Sequence, residues 1–126
     1  MPMHSFDYGV IRVVPRVERQ EFINAGVVVL CAEQRYLAVK IRLEEERLKA
    51  LWPGVDVEIV RRHLAAIERI CAGAEDGGPI AKLSVKERFH WLVAARSTII
   101  QCSPVHTGVC EGGMDEVLDR LVGRFL

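Results

Sequence analysis

Two stretches of this 126-residue chain concentrate residue types that recognise anions. The first runs from Arg12 to Asn24 and also carries Arg16, Glu18, Arg19 and Glu21. The second runs from Arg88 to Thr107 and carries His90, Arg96, Ser97, Thr98, Gln101, Ser103 and His106. A guanidinium donates two parallel hydrogen bonds to a carboxylate or phosphate, and amides and hydroxyls complete such a cradle. Arg12, Arg19, Asn24, Arg96, Ser97 and Ser103 are therefore the candidate ligand-binding set. The set works only if the two stretches meet, which requires a later strand to lie beside the first one. The competing reading is that these charges form solvated surface salt bridges, as most charged side chains do. For Asn24 the plainer role is a hydrogen bond closing the preceding loop. For Arg12 it is an end-of-strand arginine pointing to water.

Complete catalytic sets are absent. Ser103, His106 and Cys110 are close in sequence, but the strained Gly-x-Ser-x-Gly elbow that activates a nucleophilic serine is missing. His4, His63, His90 and His106 show neither HxH nor HxxxH spacing, so no metal site is expected. There is no P-loop and no GxGxxG, and no cofactor is expected. The three glutamates from Glu44 to Glu46 do not make a metal cluster, because consecutive helical residues diverge by about 100°.

The elements that must position these groups follow from periodicity. Residues 6–14 alternate as a strand, with Phe6, Tyr8, Val10 and Arg12 on one face and Ile11 and Val13 on the other. Pro15 stops it. Residues 22–31 are almost continuously apolar, which suits a central strand covered on both faces by the last helix or by a second subunit. Gly26 inside this run predicts a bulge or a close backbone approach. The period of two places Asn24 on the face of Gly26 and Val28. Residues 36–42 form a third strand with Leu37, Val39 and Ile41 inward, and their alternation predicts one solvated face.

Helices are expected from Glu44 to Trp52 and from Asp56 to Ala72. The second carries a stripe of Val57, Val60, Leu64, Ile67 and Cys71. Ser84 and Glu87 form a capping box that opens a third helix reaching about Ala94. Residues 96–102 are β-branched enough for a fourth strand, followed by a polar loop over 103–108. A last helix begins beyond Gly113. Strands come early and helices late, which predicts a single α+β domain over residues 1–126. Its antiparallel sheet has about four strands, with three to four helices packed mainly on one face.

Composition agrees with a folded chain of zero net charge. Half of the residues are hydrophobic, and 17 basic residues balance 17 acidic ones. Neutral net charge argues against nucleic acid as the partner, and no apolar run is long enough for a membrane span. The four cysteines have no CxxC spacing and sit largely in apolar runs, which fits free thiols in a reduced cytoplasm. The start of the chain does not read as a signal peptide.

Tyr8-x-x-x-Arg12-x-x-Pro15, followed by Arg19-x-Glu21-x-x-Asn24-x-Gly26, resembles the opening signature of the family catalogued as domain of unknown function 3037. Arg88-x-x-Trp91, Arg96-Ser97, and Gln101-x-Ser103-Pro104 through Gly108 resemble its later signature. The resemblance spans nearly the whole chain. It implies a small cytoplasmic bacterial protein and brings no established activity. From the family's setting it implies a HipA-like kinase as a candidate partner; the chain itself has no kinase motif. The leading functional expectation is a non-catalytic accessory module that binds a partner protein or a small anionic ligand. The alternative is an enzyme acting on a phosphorylated or nucleotide substrate, with His106 as general base.

Overall fold

A ten-residue strand, β1 (His4–Val13), is the axis of the sheet. This computed structural model describes residues 3–96 and 98–126. One edge of β1 pairs antiparallel with β2 (Ile23–Cys31), which in turn pairs antiparallel with β3 (Tyr36–Ile41). The other edge is shared. β4 (Ile100–Cys102) lies against Ile11–Val13, and β5 (His106–Cys110) lies against His4–Tyr8. The sheet therefore has five strands. The segment expected to be a polar loop over 103–108 instead supplies β5, because β1 is long enough to pair twice along one edge. The condition that the two-stretch site sets, a later strand beside the first, is met, with Arg12 opposite Gln101.

Four helices complete the chain: α1 (Glu45–Leu51), α2 (Val57–Ala72), α3 (Val85–Val93) and α4 (Met114–Phe125). Local chemistry sets their ends. Asp56 caps α2 by accepting from the Ile59 N–H at 3.2 Å, and Gly73 ends it in the left-handed conformation at φ 67°. Both are the residue types those positions favour. The Ser84 hydroxyl oxygen accepts from the Glu87 N–H, as the capping box predicts, while Glu87 Oε1 accepts from the Ser84 O–H in place of the Ser84 N–H.

Two cores sandwich the sheet. On one face Ile11, Val13, Val28 and Leu30 pack with Leu48, Leu64, Ile67, Phe89 and Leu92 from α1, α2 and α3. On the other, Phe6, Val27, Val29 and Cys31 pack with Val117, Leu118, Leu121 and Val122 of α4. The last helix thus covers the second face of β2. It also reaches β3, where Tyr36 and Ala38 pack against this core. The second face of β3 is consequently not simply solvated: Lys40 pairs with Asp119 and the Tyr36 hydroxyl donates to Asp115 from that side.

The pairing of β1 with β2 slips by one residue between Ile11 and Arg12, so that Ile11 faces Gly26 while Arg12 faces Asn24. Ala25 is the extra residue of this bulge, and it shifts the phase of the strand. Ile23 and Ala25 share a core with Val28 and Leu30, whereas Val27 and Val29 face α4. Asn24 accordingly looks toward α4 with Val27, not with Val28 as unbroken alternation requires.

Candidate functional site

Arg12 stands near the end of β1 on the α4 side of the sheet, between Asn24 on β2 and Gln101 on β4. Its guanidinium carbon lies 4.2 Å from the centroid of the Phe22 ring, and Phe22 is itself 43 % exposed. Stacking of this kind holds a guanidinium flat while leaving its N–H edges for an acceptor. The Nε of Arg12 is buried and has no hydrogen-bond partner among the described residues. Such orphans are uncommon, because a buried donor without a partner loses its hydration for nothing.

Arg96 reaches the same place from the segment between α3 and β4. Its guanidinium lies 4.1 Å from the centroid of the Trp91 ring, and its Nη2 donates to the Trp91 carbonyl. Arg12 and Arg96 line a common cavity of about 300 Å³ together with Val14, Val17, Gln20, Phe22 and Gln101. Gln20 comes from the C-terminal end of a 3₁₀ turn over Val17–Arg19 and sits at φ 57°. Two guanidinium groups and two amides thus meet at one end of the sheet, and among the described residues no carboxylate lines the cavity.

The other residues expected from the sequence are placed differently. Arg19 is exposed, and its Nε donates to Glu21 beside it. Glu21 holds the Arg19 pKa up, and Arg19 in turn holds the Glu21 carboxyl below its ordinary value. The Asn24 amide donates to the Phe125 carbonyl at 3.1 Å and ties β2 to the end of α4. Ser103 is 5 % exposed. Its hydroxyl oxygen accepts from the Val10 N–H at 2.9 Å and its O–H donates to the Pro104 carbonyl. Ser97 lies outside the described residues. Of the expected set, then, the structure brings Arg12 and Arg96 into one cleft, while Arg19, Asn24 and Ser103 are engaged elsewhere.

Sequence reasoning missed Gln20 and Phe22 as part of the cleft. The signal for Phe22 was available: an aromatic just before β2 lies within reach of an arginine next to the last residue of β1. Gln20 depended on the left-handed turn, which a glutamine does not announce.

His106 is exposed and sits 5.5 Å from Tyr8, centroid to centroid, while the Ser103 hydroxyl is committed to the backbone. Among the described residues no three His, Cys, Asp or Glu side chains gather as metal ligands, and no helix is long and apolar enough to cross a membrane.

The fold and cleft describe a small α+β protein with an arginine-lined pocket at one end of its sheet. The chain belongs to the family described as Protein of unknown function (DUF3037), whose model matches residues 8–126. Searches of curated proteins and of solved structures returned no match.

Proposed function

We propose that this protein is a non-catalytic binding module that holds an anionic group, from a small ligand or a partner protein, between Arg12 and Arg96. The observation that carries this reading is that guanidinium groups far apart in sequence line one cavity, each stacked on an aromatic ring. Gln20 and Gln101 line the same cavity; the Gln101 Nε2 donates to the Thr98 carbonyl at 3.0 Å, which leaves its second N–H for a ligand. Stacking fixes the two planes before a ligand arrives, so less side-chain entropy is lost on binding.

The test is titration of the protein with inorganic phosphate and acetate, followed by chemical-shift perturbation or calorimetry. Arg12→Ala and Arg96→Ala should each weaken binding about tenfold or more, as loss of a charge-assisted hydrogen bond of roughly 1.5–3 kcal/mol implies. Arg19→Ala should leave it unchanged. Equal affinity in all three variants, with the fold intact by circular dichroism, rejects the site.

A further inference from the structure

A second cavity adjoins the first. It has a volume of about 510 Å³ and shares Val17 and Arg96 with the arginine cleft. One wall is α2, which presents His63, Ala66, Ile67 and Ile70. Their spacing of three, four and seven puts them on one helical face. Trp91 and Ile99 also line it. The small side chain of Ala66 leaves the space, and Trp91, stacked on Arg96 and 38 % exposed, joins the apolar wall to the charged one.

We propose that the occupant of the Arg12–Arg96 cleft is a small amphipathic anion, with its charged group at the guanidinium pair and its apolar body laid along α2. This rests on the anion-binding reading above and supplies the other half of the ligand. Three observations favour it. The larger cavity is of the size that takes small molecules, roughly 300–1,000 Å³. Its apolar lining is open to water, so an apolar body gains by covering it. Among the described residues neither cavity is lined by a carboxylate, and both are lined by Arg96, so the boundary between them is positively charged. A bare inorganic anion fills only the smaller cavity.

The experiment is calorimetric titration of the full chain with straight-chain carboxylates from acetate to octanoate, with inorganic phosphate, octanol and a peptide ending in leucine as comparison probes. The dissociation constant should fall about two- to fourfold per methylene added, as burial of each CH₂ in an open groove implies. Ala66→Phe should abolish this dependence while leaving phosphate binding in place. Ala66→Leu, a smaller plug, should blunt it if the phenylalanine variant does not fold. Binding of acetate and octanoate with equal affinity would overturn the amphipathic ligand and leave the anion site standing. Octanol binding as tightly as octanoate would overturn both, because the charge would then contribute nothing. Tighter binding of the peptide than of octanoate would replace the small molecule by a protein C-terminus. Failure of every anion to bind would remove the anion site itself.

Discussion

Ser103 satisfies both backbone groups of Val10. The Val10 N–H donates to Ser103 Oγ at 2.9 Å, and the Ser103 N–H donates to the Val10 carbonyl at 2.8 Å. The pair lies where the partner of β1 changes from β4 to β5, so the hydroxyl stands in for the ladder bond that the break removes. Ser103→Ala leaves the buried Val10 N–H without a partner. The expected cost is about 1–3 kcal/mol of unfolding free energy, read by urea denaturation. Anion binding to the folded variant should be normal, because Ser103 lies outside the arginine cleft.

Gly26 is constrained by its neighbours across the sheet. A Cβ placed there would meet Ile41 Cδ1 at 2.7 Å and the Lys40 carbonyl oxygen at 3.0 Å. The isoleucine tip can turn away, but the backbone carbonyl cannot. Gly26→Ala should therefore destabilise the protein by about 1–3 kcal/mol, as overpacking usually does. A lowered urea midpoint with an unchanged slope would be the sign. A variant as stable as the parent would mean that β3 yields at this point.

The contrast between Gly26 and Asn24 shows what sequence periodicity carries. A glycine inside a β-branched run already signalled a bulge or a close approach, and both occur around Gly26. The helices were equally legible, because the stripe from Val60 to Cys71 and the box from Ser84 to Glu87 are local patterns. The direction of Asn24 was not, since one inserted residue reverses every side chain before it and periodicity does not say which residue is inserted. β5 was hidden for a related reason. His106–Cys110 is mostly exposed and lacks an apolar face, and it is a strand because β1 offers it an edge. In the site, the two arginines could be named as candidates, but whether they met depended on that long-range pairing. The hydroxyl of Ser103 looked available only because its backbone partner is 93 residues away.

The cysteines should react in a fixed order. The Gly112 N–H and the Arg120 guanidinium, 3.3 and 3.0 Å from its sulfur, hold the Cys110 thiol below its ordinary pKa. Burial pushes Cys71 up to about 12 and Cys102 up to about 11. Only thiolates attack iodoacetamide at useful rates. Mass spectrometry at pH 8 should find Cys110 alkylated first, with Arg120→Ala slowing it. Cys31 and Cys71, both buried, should wait for unfolding.

Alkaline pH should expose the same burial as a loss of stability. The unfolded thiols ionise near pH 9, while the folded Cys71 and Cys102 keep their protons to about 12 and 11. A folded pKa above the unfolded one contributes fully below the unfolded value and is lost as pH rises through the folded one. Urea midpoints should fall between pH 9 and 11, and Cys71→Ala combined with Cys102→Ala should flatten the part of that fall below about pH 10, above which the Tyr36 hydroxyl, also raised by burial, adds to it. An equal slope in the double variant would assign the alkaline loss to other groups.

Gln20 joins the fold and the cleft in one residue. It holds a left-handed backbone at φ 57° at the end of a 3₁₀ turn, and it lines the cavity with Arg12 and Arg96. A non-glycine residue in that region costs roughly 1–2 kcal/mol, which glycine avoids at the expense of a more disordered unfolded chain. Gln20→Gly should therefore gain up to about 1 kcal/mol in stability. The same change removes an amide from the anion cleft, and a hydrogen bond to an ionised acceptor is worth about 1.5–3 kcal/mol. Affinity for an anion held by Arg12 and Arg96 should drop about tenfold or more while the melting temperature rises. Gln20→Asn, which tolerates the left-handed backbone and keeps a shorter amide, should recover part of the binding. Binding and stability rising together in the glycine variant would show that the Gln20 amide does not contact the anion.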